Sequence, residues 1–109
     1  MASVFDIIFQ YEATNALADA YTVPVGTSHV VSTINCCNFS VGTESITIKV
    51  AKGGAADANE QYIYSALNIS GGDTFQTTSG VTLNAGDVVR ILSSANTAIA
   101  VNFFGTTVT

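Results

Sequence analysis

The sequence predicts a single-domain, all-β protein, an antiparallel sandwich or barrel of seven or eight short strands. Apolar and polar residues alternate with a period of two through much of the chain, and no segment shows a convincing period of 3.6. Turn signals rich in Gly, Asn, Asp and Ser separate these runs at short, regular intervals. A chain of 109 residues has room for one domain.

The first twenty residues predict an N-terminal arm or edge segment, and 21–109 the sandwich domain. The start of this segment is apolar on both faces of an extended chain, which suits either an arm that reaches another protein or a first strand of the sandwich. The candidate interface residues are Val4, Phe5, Ile7, Ile8 and Phe9.

The stretch 11–21 is ambiguous. Thr14 or Asn15 could cap one helical turn, but the stretch equally suits an edge strand that leads to Pro24. We expect a loop followed by an edge strand.

Three later runs alternate cleanly and predict half-buried strands. Their apolar positions are Ile46, Ile48 and Val50, then Ile63, Leu67 and Ile69, then Ile99, Val101 and Phe103. Their polar positions include Ser45, Thr47 and Lys49 in the first run and Tyr62, Tyr64 and Asn68 in the second. The runs 30–37 and 87–92 are apolar on both sides, which predicts central strands or strands whose outer face is covered.

The composition argues against an enzyme. Charged residues make up 10% of the chain, against about 25% in an ordinary soluble domain. Thr, Ser, Asn, Val, Ile and Ala take their place, and these residues suit a packed β-surface. The net charge of −5, with Lys49, Lys52 and Arg90 as the only basic side chains besides His29, also argues against a nucleic-acid partner.

No catalytic, cofactor or metal site is predicted. His29 could pair with Cys36 or Cys37, but all three lie on one predicted strand, whereas a Cys–His dyad normally joins separate elements. The adjacent cysteines are expected to be reduced packing residues. Asp73 and Asp87 each follow Gly directly before a strand. We expect them to stabilise these turns by hydrogen bonds to the backbone; the alternative is that they bind calcium.

Tyr62 and Tyr64 fall on one face of an alternating strand and could form a platform for a sugar ring. Because the chain has no Trp, the usual anchor of such stacking, packing in a core or interface is favoured for these rings.

No apolar run approaches the roughly 20 residues of a membrane span. The first residues lack the basic and long apolar regions of a signal peptide. We therefore expect synthesis in the cytoplasm, with no export signal and no membrane partner.

Most of the chain from Tyr21 to Val101 resembles the small β-sandwich virion proteins of tailed bacteriophages. The resemblance depends on turn and strand signatures: 21–26, a Val-rich strand that ends in Cys37-Asn38, 46–50, Tyr62-Ile63, 72–74 and 81–91. It implies a jelly-roll-like fold, so the expected architecture is a jelly-roll-like antiparallel β-sandwich of about eight short strands.

The same resemblance implies a structural role on the virion. The commonest role of such proteins is capsid decoration: a cement protein that binds the major capsid protein at junctions between its subunits, usually as a homotrimer on the capsid surface. Two alternatives stay open, a head-fibre or tail-fibre receptor-binding module and, from another class, a carbohydrate-binding module.

Overall fold

Two antiparallel sheets form the fold in the computed structural model, which describes residues 3–109. These residues contain nine strands: β1 (Ser3–Glu12), β2 (Ala18–Thr22), β3 (Ser28–Asn38), β4 (Glu44–Ala51), β5 (Tyr62–Ile69), β6 (Thr74–Thr77), β7 (Val81–Leu83), β8 (Val88–Ser93) and β9 (Ile99–Val108). Two 3₁₀ turns, Lys52–Gly54 and Asn59–Gln61, lie between β4 and β5.

The strand order is that of a jelly roll. Sheet A has the order β1-β9-β3-β6, with β7 also paired to β3, and sheet B has the order β2-β8-β4-β5. β6 and β7 pair with different halves of β3, so they form one strand interrupted at 78–80. The result is two four-stranded layers linked by strands that alternate between them, which confirms the predicted jelly-roll-like sandwich.

The segment 3–20 contributes edge strands. β1 is the outer strand of sheet A beside β9, and β2, which begins at Ala18, is the outer strand of sheet B beside β8. The stretch 11–21 therefore contains the expected loop and edge strand. The two runs that are apolar on both sides, in β3 and β8, are central strands.

The core lies between the two sheets and is built from alternate residues of the long strands. Ile99, Val101 and Phe103 of β9 are fully buried, as are Ile46 and Ile48 of β4. These five residues confirm that the apolar face predicted for each of the two strands points into the core. The residues of β9 that alternate with Ile99, Val101 and Phe103 therefore point to the outer face of sheet A.

The alternation predicted for β5 is wrong at its start. Ile63, expected in the core, is 40% exposed, whereas Tyr64, expected outside, packs against the core. Between the pairs Ile46–Leu67 and Ile48–Tyr64, β5 has one residue more than β4. Ala66 takes up this bulge with a positive φ of 49°, and the extra residue reverses which side chains point inward.

Candidate interaction surface

The outer face of sheet A carries no charged side chain over three successive rows of cross-strand neighbours. Residues directly opposite each other on paired strands share a face, and these rows point away from the buried side of β9. The rows are Phe5, Thr106, Val30 and Thr82; then Ile7, Phe104 and Thr33; then Gln10, Asn102, Asn35 and Gln76. We call these eleven residues the uncharged face.

The first two rows expose large apolar groups. Phe5 is 88% exposed, Ile7 52% and Val30 49%, and Phe104 lies half-buried beside Ile7. Single exposed apolar residues are ordinary, but neighbouring ones on adjacent strands mark surfaces that other molecules cover. These four side chains make the uncharged face a candidate interaction surface.

Two bulges, one in β1 and one in β3, determine which residues of these strands point to this face. β1 has a bulge between Ile7 and Phe9, and β3 has one between Val31 and Thr33, on either side of β9. The bulge in β1 turns Phe9 inward, where its ring stacks on Tyr21 at 4.8 Å between centroids and contacts Phe103 at 4.5 Å. Bulges redirect side chains in this way at sheet edges.

The five candidate interface residues therefore divide into two groups. Val4, Phe5 and Ile7 are exposed, while Ile8 and Phe9 are half-buried and pack against the core. Only the first three side chains are more than half exposed and available for contact with another protein.

Exposed apolar groups also gather where β1 begins. Ser3 of β1 and Ser28 of β3 both lie opposite Val108, so the turn before β3 is at the same end of the sandwich as the start of β1. The tip of that turn, Val25, is 96% exposed. We call Val4, Phe5 and Val25 the apolar end; Phe5 lies at the corner where it meets the uncharged face.

The opposite surface of the sandwich carries paired charges. On the outer face of sheet B, Asp19, Arg90 and Lys49 lie side by side on β2, β8 and β4. Arg90 donates from Nε to Asp19 at 2.9 Å, and the Lys49 ammonium pairs with Asp57. Both ion pairs found within residues 3–109 are therefore on this side of the molecule.

Lys49 corrects a prediction. The alternation placed it on a polar, solvated face, but it is only 3% exposed. The segment between β4 and β5 folds over it, contributing Asp57, while the Tyr62 ring centroid lies 4.2 Å from its Nζ atom. A buried ammonium with a carboxylate and an aromatic face as neighbours is compensated in the usual way.

The two tyrosines predicted to share a face do not. Tyr62 lies beside Lys49 on the outer side of sheet B, whereas Tyr64 lies opposite Ile48 and contacts Phe75 in the core with ring centroids 5.2 Å apart. The bulged register of β5 separates the rings, so the structure does not assemble the platform from Tyr62 and Tyr64.

His29 belongs to a chain of hydrogen bonds that joins both sheets. The Tyr21 hydroxyl lies 2.7 Å from His29 Nε2, His29 Nδ1 lies 3.0 Å from Thr107 Oγ1, and Thr107 donates to Asp6 at 3.0 Å. Because Thr107 donates to the carboxylate, it must accept from Nδ1–H, so Tyr21 donates to Nε2 of a neutral ring. His29 is a buried structural residue near the start of β3.

Burial sets the protonation of this chain. It lowers the pKa of His29 below its ordinary 6.5, against a smaller opposite effect of the Asp6 carboxylate. Burial also raises the pKa of Tyr21, with a further increase from Asp6. Both groups are therefore held neutral at pH 7.

The cysteines are distant from His29. His29 is near the first residue of β3 and the cysteines are near its last, so the structure does not bring His29 together with Cys36 or Cys37. Both cysteines are free, as expected. Cys36 is buried in the core, which raises its thiol pKa to about 12 and leaves it unreactive.

The Asp87 carboxylate stabilises its own turn, as predicted, and also binds the segment that follows β4. Its Oδ2 atom accepts from the Asn84 backbone N–H and its Oδ1 atom from that of Gly53, both at 2.8 Å. It thus fixes its own turn and anchors the segment after β4. Asp73 closes its turn through the backbone, donating from N–H to Ser70 O at 2.9 Å. In residues 3–109 no three His, Cys, Asp or Glu side chains gather at a spacing that could hold a metal ion.

The row of four amide side chains was not predicted. Gln10, Asn102, Asn35 and Gln76 come from four strands and meet only through the register of sheet A. We call them the amide row. The signal in the sequence is weak: Asn35 and Asn102 are polar positions in alternating strands, but nothing there places them opposite each other.

Comparison with protein-family models, curated proteins and solved structures finds no match to this chain. None of the described residues belongs to a helix long and apolar enough to cross a membrane.

Proposed function

We propose that this chain is a structural virion protein that decorates and stabilises the capsid of a tailed bacteriophage. In this proposal it binds the major capsid protein at junctions between capsid subunits, as a homotrimer on the outer surface of the shell. The observation that carries the proposal is the uncharged face, with Phe5, Ile7 and Val30 exposed in a protein whose ion pairs lie on the other sheet.

The free-energy cost of covering a surface depends on the charged groups it carries. Burying charged groups is expensive unless each finds a partner, whereas apolar, hydroxyl and amide groups are covered at low cost. A cement protein acts by binding alone: each bound copy stabilises the assembled shell by mass action. A small sandwich with one low-charge face and rigid strands has the surface that such a role requires.

The apolar end is the proposed contact with the shell. Val4, Phe5 and Val25 are exposed at one end of the sandwich, with Val4 and Phe5 on opposite faces of β1, and a few exposed apolar side chains can supply most of the binding energy of an interface. Val4 and Phe5 lie on β1, which is paired along its length with β9, so little backbone conformational entropy is lost when they bind.

Capsid binding by point variants tests the proposal. Empty capsids assembled from the major capsid protein of the phage that carries this gene are mixed with purified chain, and bound protein is measured by sedimentation. Phe5→Ser and Val25→Ser should each weaken binding about tenfold or more, because each removes an exposed apolar contact.

The matched control is Val41→Ser. Val41 is fully exposed on the turn after β3, at the far end of the sandwich from Val25. Its replacement should leave capsid binding unchanged. Equal loss in all three variants, or no binding by the native chain, contradicts the proposed shell contact. A copy number of only a few per particle would instead favour the fibre alternative.

A further inference from the structure

A pocket of about 420 Å³ opens at one end of the sandwich, where the edges of the two sheets meet. Sheet A contributes Thr82 of β7 and the turn that follows β7, and sheet B contributes the end of β4 and the 3₁₀ turn after it. The side chains that the argument uses are Val50, Lys52, Thr82, Asn84 and Asp87. The volume is in the range of roughly 300 to 1,000 Å³ that is usual for small-molecule sites.

Asp87 brings a buried carboxylate to the wall of this pocket. The residue is 8% exposed, and both ion pairs found within residues 3–109 use other carboxylates, those of Asp19 and Asp57. Each Asp87 oxygen accepts one backbone N–H, from Gly53 or Asn84. Because an ionised carboxylate has about four acceptor positions, about two of them are left for a further donor.

The other polar side chains of the pocket supply donors. The Asn84 Oδ1 atom accepts from the Ser28 hydroxyl at 3.4 Å, which leaves the Asn84 Nδ2 atom to donate. Lys52 is exposed and forms no ion pair within residues 3–109. The Thr82 hydroxyl can donate or accept. Hydrogen-bond acceptors and donors therefore line one cavity together.

We propose that this pocket binds a neutral, hydroxyl-rich ligand, a single pyranose residue of a glycan. A hydroxyl group both donates and accepts, so neighbouring hydroxyls of one sugar can donate to Asp87 while they accept from Asn84 and Lys52. The half-buried Val50 supplies an apolar contact for the ring carbons.

The charges of the pocket argue against the other classes of small ligand. An anion would lie beside the Asp87 carboxylate, and a cation would lie beside the Lys52 ammonium. An apolar ligand would remove water from both groups and from Asn84 without replacing the lost hydrogen bonds. A neutral polyol avoids all three costs.

The pocket lies away from the strand that carries Val4 and Phe5. Thr82 on β7 and Phe5 on β1 belong to one row of sheet A, with β9 and β3 between them. Three strand spacings of about 4.8 Å place the two residues about 14 Å apart. Glycan binding is therefore an activity beyond the capsid role and does not depend on it.

The experiment is an NMR titration of the ¹⁵N-labelled full-length chain with small probes. The neutral probes are the methyl glycosides of glucose, galactose, mannose and N-acetylglucosamine; free glycine and methyl glucuronide are the zwitterionic and anionic comparisons. At least one neutral glycoside should bind with a Kd of about 1 to 10 mM, as expected for a small ligand in an open site. It should shift the backbone amide signals of Gly53 and Asn84, which donate to Asp87.

Asn84→Ala is the test variant. It removes the side-chain donor but keeps the backbone N–H that binds Asp87, so the variant should fold and should bind the glycoside about tenfold more weakly. Asn68→Ala is the matched control, because Asn68 is an exposed residue of β5 outside the pocket. It should bind with the Kd of the native chain.

Three results would each overturn the inference. They are the absence of shifts with all four neutral glycosides, tighter binding of glycine or methyl glucuronide than of every neutral glycoside, and a native Kd in Asn84→Ala. Capsid binding, measured by sedimentation, is a separate result, so failure of the capsid role and failure of glycan binding are distinguishable.

Discussion

At one position of the sandwich, Gly105, two backbones come so close that only one residue type is accommodated. Gly105 of β9 lies between Asp6 of β1 and Val31 of β3, level with the bulges in both neighbouring strands. A Cβ atom there would collide with the Val30 carbonyl oxygen and lie 2.9 Å from the Val31 Cα atom. Only glycine fits, since the obstacle is backbone and cannot rotate away.

Gly105→Ala should therefore destabilise the protein by about 3 kcal/mol, at the upper end of the usual cost of overpacking. The measurement is the free energy of unfolding in urea. Gly80→Ala is the control, because a Cβ atom at Gly80 would contact nothing within 4 Å; it should change stability by less than about 0.5 kcal/mol. Equal effects of the two changes would refute the close approach at Gly105.

His29 makes stability depend on pH. Its pKa is lower in the folded protein than in the unfolded chain, so the unfolded chain binds more protons between the two values. The contribution of His29 to stability is complete above about pH 7.5 and decreases as the pH falls through 6.5 toward the folded pKa. His29→Gln removes this titration.

The comparison is between urea unfolding curves of the native chain and His29→Gln from pH 8 to pH 5. The native chain should lose more stability than the variant over this range, and the difference should level off above pH 7.5. Parallel curves would show that His29 is not held neutral by burial.

At the level of elements, the segment between β4 and β5 covers the outer face of sheet B. It pairs Asp57 with Lys49, and Asp87 anchors its first residues by accepting from Gly53 N–H. Gln61 ties its end by donating from Nε2 to Ala56 O at 2.8 Å. This cover makes Lys49 a buried residue.

Asp57→Asn should destabilise the protein by about 2 kcal/mol, because it leaves the Lys49 ammonium buried without a counter-charge. Lys49→Met should cost less, since Asp57 is half-exposed and can be solvated while the Met side chain fills the site. The control Glu60→Gln changes an exposed carboxylate of the same segment and should be near neutral. Thermal unfolding ranks the three variants; a larger loss for Lys49→Met than for Asp57→Asn would contradict the burial argument.

The strands show which part of the fold can be predicted from the sequence. Ile99, Val101 and Phe103 correctly predict a strand with one buried face, because β9 keeps the alternation of inward and outward side chains along its length. Ile63 and Tyr64 were misplaced because Ala66 adds a residue that its own side chain does not signal. The burial of Lys49 depends on a covering segment, and alternation carries no information about that.

At the level of the whole molecule, the two outer faces differ in kind. The outer face of sheet B is covered by a segment of its own chain and by ion pairs, while that of sheet A presents uncharged rows to the outside. The position of the uncharged face could not be predicted from the sequence, because Gln10 and Asn102 meet only through the register of strands far apart in the chain.

Direct imaging of virions tests the central proposal, that this chain decorates the capsid of a tailed bacteriophage. If the proposal holds, cryo-electron microscopy should show copies of the sandwich over the capsid at junctions between major capsid subunits, with Val4, Phe5 and Val25 against the shell. Density for this chain confined to a vertex or the tail, or copies with these three side chains in solvent, would contradict the proposal.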